Sequence, residues 1–473
     1  MYNPITPSTY DAGMEAMKAK FAQVIEAGVR QIAILADDAG NQGSAHYIQM
    51  LTDMTAWLEE MQQTYPDLKT TLIFVTQEYM YNGESYYASF PENVQIVMTG
   101  GRVWGEVSNE YVTTFYNNVG RGPFLWINWP CTDNSKKHLI MGGYTTFLHP
   151  GVDPEKIEGI VLNPMQQSEP SKVAIFGNAC YSWNIWETEE EANAAYDVSF
   201  AAVDHNTVVP NAASEALKEL SKHMINQNMD SRVTALQESV ELKDELNAFK
   251  TKLSAGTYTQ EEIDSLIEEF TILQNAAVTY RAEGNKAIAD QIVYWLDCWD
   301  DTTEAVISYL NALSAILNEK GDAAVWEWYA RGQAAFESST THALWYMDHY
   351  EYAEVGVQHI VPFMNALNQT LSEKVAVIVD PNVQTVTYIT NRPDSPATGS
   401  VANVTDGNDG TSAIYKTPNA IVAGDYVGLM FGSVTNIRNI HIVLGAGKDH
   451  FDQGKLEYTL DGTNWYDLTL TGM

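Results

Sequence analysis

The sequence contains few cysteines and few basic residues, and both shortages exclude classes of protein. Its three cysteines, Cys131, Cys180 and Cys298, are odd in number and far apart. They therefore form neither a disulfide framework nor a metal knuckle. Only 26 basic residues oppose 61 acidic ones, which gives a formal net charge of -35. Because nucleic acids and anionic membranes repel such a chain, we expect neither as a partner.

Several diagnostic segments are also absent from the sequence. No apolar run approaches the roughly 20 residues that a membrane-spanning helix needs. The first residues, MYNPITPSTYDAG, lack the charged start and the apolar core of a signal peptide. There is no HExxH pair, no phosphate-binding loop and no Ser or Cys nucleophile elbow. What remains is a folded protein with 45% hydrophobic residues, whose chemistry depends on carboxylates, amides and aromatic rings.

Residues 1–187 alternate helical patterns with short apolar runs, which is typical of a parallel α/β sheet. The predicted strands are Ile32–Ala36, Leu72–Thr76, Val94–Thr99, Phe124–Asn128 and Gly159–Asn163. The apolar run of the first strand suggests burial on both faces of the sheet. A complete eight-stranded TIM barrel takes about 250 residues, so the region predicts about five of eight strands, the C-terminal part of a (β/α)8 barrel. An open sheet is the alternative.

Two further regions follow the predicted partial barrel. Residues 188–373 carry long amphipathic patterns, which predict an α-helical bundle. Residues 374–473 contain short β-branched runs, beginning with AVIVD at 376–380, which predict a β-sandwich. Because the runs are fewer than a complete sandwich holds, we expect a truncated one. The sequence thus predicts a multidomain chain of partial barrel, helical bundle and truncated β-sandwich.

Polar residues follow each predicted barrel strand, and the first strand ends in Asp37 and Asp38. The carboxyl ends of strands are where α/β barrels place their catalytic groups. Successive side chains of a strand point to opposite faces, so both aspartates can face one pocket only if the backbone leaves strand geometry there. Amides, carboxylates and aromatic rings at neighbouring strand ends suit a neutral, hydroxyl-rich ligand. A helix cap or a solvated turn is the alternative interpretation of the aspartate pair.

Six segments of the sequence, in this order, resemble glycoside hydrolase family 84: ILADD, TQEYM, VMTGGRV, WINWPCTD, VLNPMQQSEPSKVAI and CYSWN. This family contains bacterial and animal β-N-acetylglucosaminidases, including O-GlcNAcases and hyaluronidase-type toxins. The resemblance is strong over residues 1–187 and looser over the helical region. It implies substrate-assisted catalysis, in which the sugar's own 2-acetamido group attacks the anomeric carbon and forms an oxazoline.

The resemblance also implies roles for individual residues. Asp37 would orient and polarise the acetamido N–H, and Asp38 would protonate the leaving oxygen and then deprotonate water. The implied substrate-binding residues are Asn128, Asp133 and Asn163, with Tyr79, Thr99, Val103 and Trp126 around the acetyl group. No cofactor is implied for catalysis. The family's ligands on the first barrel strands have no counterpart in this chain, so we expect the chain alone to be inactive or poorly folded.

The last region resembles a discoidin-like sandwich, as in carbohydrate-binding modules of family 32. The resemblance rests on VANVTDGNDGTSAIY and on the YTLDGTNW hairpin. It makes Asp406, Asp409 and Thr411 candidate oxygen ligands for a structural Ca²⁺. A plain turn of Asn, Asp and Gly residues is the alternative.

The expected function is a retaining β-N-acetylglucosaminidase that acts on terminal β-linked GlcNAc of glycans or glycoproteins. The modular organisation leads us to expect a secreted or cell-surface bacterial protein whose signal lies upstream. Two alternatives stay open at this point. One is a hyaluronidase-type glycosidase, which the strong negative charge disfavours. The other is a non-catalytic glycan-binding protein with a degenerate barrel.

Overall fold

A computed structural model of the chain describes residues 5–226, 236–379, 387–392, 396–404, 408–416, 420–431, 437, 440, 442–443 and 454–468. The chain divides into two compact units. Unit 1 comprises 1–244, 268–304 and 335–361, and unit 2 comprises 245–267, 305–334 and 362–473. Among the described residues, every helix is too short or too polar to cross a bilayer.

Unit 1 contains a five-stranded parallel sheet whose strand order follows the sequence. The strands are β1 (Ala33–Leu35), β2 (Leu72–Val75), β3 (Val94–Met98), β4 (Phe124–Ile127) and β5 (Gly159–Leu162). Neighbouring strands align in register, as in the pairing of Ile34 with Phe74 and of Phe74 with Ile96. Because all five strands run the same way, their carboxyl ends lie along one edge of the sheet. The five predicted strands of the partial barrel are confirmed.

The central strands are buried and the first strand is not. Phe74 in β2 and Ile96 in β3 are 1% and 0% exposed, whereas Leu35 in β1 is 56% exposed. The difference arises because β1 pairs only with β2 among the described residues. The prediction that this first strand is buried on both faces is therefore wrong, although the strand itself forms.

Helices separate the strands and continue after the sheet. In unit 1 they are α1 (Tyr10–Glu26), α2 (Ser44–Gln62), α3 (Asn109–Val119), α4 (Tyr144–Phe147), α5 (Lys172–Trp183), α6 (Glu189–His205) and α7 (Ala212–Ser221). Their ends follow local capping rules. The Ser108 side chain accepts the backbone N–H of Tyr111 at the start of α3, and Gly120 ends that helix at φ 85°.

The described part of residues 188–373 is helical, as predicted, with one addition. The helices are α8 (Lys243–Ala255), α9 (Gln260–Glu283), α10 (Lys286–Gln291), α11 (Val293–Leu317), α12 (Asp322–Ser339) and α13 (Ile360–Val379). All of them except α10 contribute residues to both units. The addition is an antiparallel hairpin in unit 1, formed by β6 (Ala343–Tyr346) and β7 (His349–Tyr352). Short 3₁₀ turns occur at Pro7–Thr9, Ser85–Ser89, Pro154–Lys156, Val240–Leu242 and Val401–Val404.

In unit 2, the segment AVIVD does not form the predicted strand. Its first four residues, 376–379, are the last turn of α13. Buried Leu367, Leu371 and Val375 repeat every four residues along that helix, so the apolar face of the helix simply continues into the β-branched run. Val375 also packs in a small core of unit 2 with Ala315 and Val325. The prediction of a strand here is therefore wrong.

The end of unit 2 contains short antiparallel pairs: β8 (Thr387–Thr390) with β11 (Val427–Met430), β9 (Thr398–Gly399) with β10 (Ala413–Ile414), and β12 (Glu457–Thr459) with β13 (Trp465–Asp467). These pairs agree with a truncated sandwich. Asp406 lies outside the described residues. Thr411 donates its hydroxyl to the carbonyl oxygen of Asn408 at 2.9 Å, and Asp409 is exposed. The calcium site and the discoidin-like assignment stay predictions.

Candidate active site

The two adjacent aspartates occupy a tight turn directly after β1. Ala36 still donates its N–H to Val75 of β2 at 3.0 Å, and Ala39 then donates to the carbonyl oxygen of Ala36 at 3.1 Å. The backbone thus leaves strand geometry at Asp37 and Asp38, which is the condition for both carboxylates to face one pocket. Asp37 is half-buried and Asp38 is exposed, so solvent or a ligand can reach the pair.

Tyr79, after β2, faces the same two carboxylates. Burial, together with the negative charges of Asp38 and Asp37, raises the pKa of its phenol above the usual range. The carbonyl oxygen of Tyr79 accepts the backbone N–H of Thr99 at 2.9 Å. This bond ties the end of β2 to the end of β3. The predicted aspartate pair and the predicted Tyr79 therefore belong to one strand-end cluster.

An amide pair connects the ends of β4 and β5. Asn163 donates from Nδ2 to Oδ1 of Asn128 at 3.0 Å, and Asn128 donates from Nδ2 to the carbonyl oxygen of Val103 at 2.7 Å. The Asn163 backbone N–H also donates to Ile127, at 2.9 Å. Both side chains are half-buried and are held in fixed orientations by these bonds. An amide oxygen such as Oδ1 of Asn163 can accept a hydroxyl or an N–H.

Thr99 directly follows β3, Val103 lies four residues further along, and Trp126 is the third residue of β4. Thr99 is buried, and its hydroxyl donates to the carbonyl oxygen of Arg102 at 2.7 Å. Val103 and Trp126 are half-buried. Hydrogen bonds connect Thr99 to Tyr79 and Val103 to Asn128, and the contacts of all three residues with an acetyl group stay a prediction.

Asp133 belongs to the segment after β4 and is exposed, whereas its neighbour Cys131 is buried. Burial, reinforced by the Asp133 carboxylate, raises the pKa of the Cys131 thiol to about 12. The thiol is therefore protonated at neutral pH and is not a nucleophile. The Asp133 carboxylate is exposed, so a ligand can reach it.

Glu78 is a site residue that the predictions missed. It precedes Tyr79, and its Oε2 accepts the hydroxyls of Tyr86 at 3.0 Å and Tyr87 at 3.1 Å. Its Oε1 accepts Nδ2 of Asn41 at 3.3 Å, on the loop that follows the two aspartates. Glu78 thus ties that loop to the Tyr86–Tyr87 turn. The position of Glu78 just after a strand could have indicated a site residue. The tyrosines that hold it, however, lie in a 3₁₀ turn that no sequence motif marks.

Replacing Glu78 with Gln should loosen the aspartate loop. Both carboxylate oxygens accept hydrogen bonds, and a Gln amide must turn its NH₂ group toward one set of donors. We expect kcat for the activity proposed below to fall about tenfold with little change in KM, and the free energy of unfolding to fall by about 1–3 kcal/mol. Steady-state kinetics and urea denaturation measure the two effects.

Two controls make this prediction specific. Glu84→Gln makes the same substitution at an exposed position six residues away and should change neither quantity. Asn41→Ala removes the loop contact but leaves the tyrosines bonded to Glu78, and it should lower kcat with a smaller loss of stability. A Glu78→Gln protein with the kcat of Glu84→Gln would show that Glu78 does not position the loop.

Two other features of unit 1 contain none of the predicted site residues. A cavity of about 290 Å³ beside the end of β3 includes none of the predicted site residues in its lining. Within the described ranges, Glu219, His223 and Glu241 have the composition of a metal site. The Lys222 ammonium lies 2.5 Å from Glu219 and 3.4 Å from Glu241. Since the chain supplies its own cation there, we interpret this group as an ion-pair network.

Comparisons with known proteins found a matching family model and similar solved structures. The family model described as beta-N-acetylglucosaminidase matches residues 2–222. The protein named CpGH84D has a similar structure, with a TM-score of 0.67 and 28% identity over 78% of this chain and 61% of that one. CpGH84B has a TM-score of 0.61 and 22% identity over 78% of this chain and 62% of that one.

A third solved structure is an Asp-to-Asn mutant of the O-GlcNAc hydrolase of Thermobaculum terrenum. Its TM-score is 0.58 at 15% identity, over 78% of this chain and 77% of that one, so it supports the fold alone. The chain spans about three-fifths of the length of the first two structures. Residues 2–222 are therefore similar to the beta-N-acetylglucosaminidase family, and the fold of the chain is similar to those of the two solved proteins named GH84.

Proposed function

We propose that the full-length protein is a retaining β-N-acetylglucosaminidase that hydrolyses terminal β-linked GlcNAc by substrate-assisted catalysis. The observation that carries the proposal is the turn at Asp37 and Asp38, which presents two carboxylates beside Tyr79 at the edge that also holds the Asn128–Asn163 pair. Two carboxylates and two amides around an open edge can orient a sugar through its hydroxyl and acetamido groups.

In this proposal Asp37 acts on the acetamido group of the substrate. Its carboxylate accepts the acetamido N–H, which increases the electron density on the carbonyl oxygen. That oxygen attacks the anomeric carbon as the bond to the leaving oxygen breaks, and the product is a bicyclic oxazoline. The half-buried position of Asp37 supports this role, because a carboxylate shielded from water interacts more strongly with developing positive charge.

Asp38 acts on the leaving group and then on water. As an acid it donates its proton to the glycosidic oxygen, and as a base it accepts a proton from the water that opens the oxazoline. Two displacements at the anomeric carbon return it to the β configuration. The exposure of Asp38 supports this role, since both the aglycone and the incoming water must reach it. Asn128 and Asp133 would hold hydroxyls, and Asn163 would touch the acetamido or ring side. Tyr79, Thr99, Val103 and Trp126 would lie around the acetyl group.

The proposed substrates are GlcNAc-containing glycans or glycoproteins outside the cell, and the proposed location is secreted or cell-surface. The net charge of -35 supports a neutral substrate over a polyanion such as hyaluronan, because the long-range potential repels anionic chains.

The test compares two fluorogenic substrates that differ only in the acetamido group. We expect the full-length protein to hydrolyse the 4-methylumbelliferyl glycoside of β-GlcNAc and to leave the corresponding β-glucoside intact, because a 2-hydroxyl cannot form an oxazoline. Fluorescence release measures both. Equal hydrolysis of the two substrates, or of neither, contradicts the proposed function.

A further inference from the structure

The segment that follows β3 is a closed loop, and we call its residues 99–106 the β3 loop. The two ends of this loop touch each other. A Cβ added at Gly105 would lie 2.0 Å from the carbonyl oxygen of Thr99, and one added at Gly100 would lie 2.8 Å from the backbone nitrogen of Glu106. Gly100 also adopts φ 88°. A side chain at either glycine would therefore force the loop open.

The β3 loop supplies backbone acceptors to two of the predicted site residues. The Thr99 hydroxyl donates to the carbonyl oxygen of Arg102 at 2.7 Å. Nδ2 of Asn128 donates to the carbonyl oxygen of Val103, also at 2.7 Å. Oδ1 of Asn128 in turn accepts Nδ2 of Asn163 at 3.0 Å. The orientation of the Asn128 amide therefore depends on where the loop holds the Val103 carbonyl group.

The Glu106 side chain anchors the β3 loop to the rest of unit 1. Its carboxylate forms an ion pair with Arg102 of the same loop, and its Oε2 lies 3.0 Å from Nε2 of His149, outside the loop. The backbone fixes this second contact, because Val107 donates its N–H to Phe147 at 2.8 Å and His149 donates to Val107 at 2.9 Å. The Glu106 side chain is only 16% exposed, so salt screens its contacts less than at an open surface.

We propose that Glu106 is a positioning residue for substrate binding. Its carboxylate, held between Arg102 and His149, fixes the β3 loop and thereby the Val103 carbonyl group that orients Asn128. The inference rests on the proposed function, in which Asn128 holds a sugar hydroxyl. Since that hydroxyl is bound in the ground state and in the transition state alike, loss of the anchor weakens both to the same extent. KM then rises while kcat stays nearly unchanged.

His149 makes the anchor sensitive to pH. Its Nε2 contacts the carbonyl oxygen of Thr146 at 3.1 Å as well as Glu106, and both are acceptors, so this nitrogen carries a proton. The hydrogen bond to Glu106 raises the pKa of His149, against burial and the positive charge of Arg102, which lower it. Tyr181, whose hydroxyl donates to the His149 carbonyl oxygen at 2.7 Å, stays neutral because burial raises its pKa.

The sign of the pH dependence follows from the raised pKa of His149. The attraction between the imidazolium and Glu106 is complete below the ordinary histidine pKa of about 6.5. It is lost as the pH rises through the raised pKa, because the imidazole then becomes neutral. Substrate binding should therefore weaken as the solution becomes alkaline.

The test measures GlcNAc binding to the full-length protein by isothermal titration calorimetry, at about pH 6 and about pH 9, below and above the range in which a histidine titrates. We expect Glu106→Gln to raise Kd at the lower pH about fivefold, the upper end of what a partly exposed ion pair contributes. The wild-type Kd should rise by a similar factor between the two pH values, whereas the Kd of Glu106→Gln should not. His149→Gln keeps an N–H donor without the charge and should also lose the pH dependence.

Steady-state kinetics on the 4-methylumbelliferyl glycoside of β-GlcNAc measures KM and kcat of the same proteins. We expect Glu106→Gln to raise KM as it raises Kd, with kcat within about twofold of the wild-type value. The matched control is Glu110→Gln, the same substitution at an exposed residue that lines the same cavity as Glu106. It should leave Kd, KM and the pH dependence unchanged.

The binding and kinetic results together separate this inference from the proposed function. Wild-type turnover, with Kd and KM of Glu106→Gln equal to those of Glu110→Gln, would overturn the positioning role and leave the hydrolase intact. A Glu106→Gln protein that is merely less stable, with the wild-type pH dependence of Kd, would overturn it as well. Wild-type binding with the expected pH dependence but without turnover would support the positioning role and contradict the hydrolase.

Discussion

Asp38→Asn is expected to lower kcat on an alkyl β-GlcNAc glycoside by about 10²–10⁴-fold, the range that positioned general acid–base groups contribute. An amide has nearly the shape of the carboxyl group but cannot donate a proton to the glycosidic oxygen or accept one from water. The side chain is exposed at the turn after β1, so the substitution should cost little stability. Sugar binding should persist, because the hydroxyl and acetamido ligands are other residues.

The control for Asp38→Asn is Asp11→Asn, the same change at an exposed position of α1. It should leave kcat unchanged. Binding is followed by titrating GlcNAc into each protein. An Asp38→Asn protein that retains more than a tenth of the wild-type kcat, or one that loses both turnover and binding, would contradict the role proposed for Asp38.

Asp37→Asn is expected to lower kcat/KM by about 10²–10³-fold, the range for loss of one preorganised electrostatic contact to the transition state. The carboxylate at this position is proposed to stabilise the acetamido N–H as it becomes positively polarised, and an amide oxygen does so weakly. Bond cleavage to the aglycone then proceeds without an effective internal nucleophile. The loss should be the same for good and poor leaving groups, because Asp37 does not touch the leaving oxygen.

The measurement for Asp37→Asn is steady-state hydrolysis of aryl β-GlcNAc glycosides, with circular dichroism to confirm that the variant folds. Because Asp37 is half-buried, its substitution can also lower stability. The thermal unfolding of Asp37→Asn is therefore compared with that of Asp38→Asn. A loss of activity that disappears with a good leaving group would assign Asp37 to proton transfer and would reverse the two roles.

The sheet could be predicted from the sequence because each strand combines a short apolar run with a polar end. Leu72–Val75 and Val94–Met98 are such runs, and both form central strands. The strand-end residues were predictable for the same reason, since parallel strands bring consecutive carboxyl ends to one edge. The exposure of Leu35 could not be predicted, because an apolar run does not reveal which strand lies at the edge of a sheet.

The hairpin and the end of α13 could not be predicted, for local reasons. The turn at Met347 and Asp348 lacks the Asn-Gly type of signal that marks two-residue hairpins, and Met347 adopts φ 53° without being a glycine. The run AVIV is rich in β-branched residues, but it forms the last turn of α13. The preceding turns of that helix already place Leu371 and Val375 on a buried face. Tertiary packing therefore outweighs strand propensity in this run. Glu78 was missed because its partners, Tyr86 and Tyr87, occupy a turn whose geometry has no sequence motif.

Asp37 and Asp38 are proposed to have different catalytic roles, and one series of measurements tests this difference most directly. Wild-type, Asp37→Asn and Asp38→Asn proteins are assayed on aryl β-GlcNAc glycosides whose leaving phenols span several pKa units. We predict that the loss in Asp38→Asn grows as the leaving phenol becomes more basic, because protonation then matters more, and that the loss in Asp37→Asn is constant across the series. If the loss of activity depended on the basicity of the leaving phenol in the same way in both variants, the two proposed roles would be contradicted.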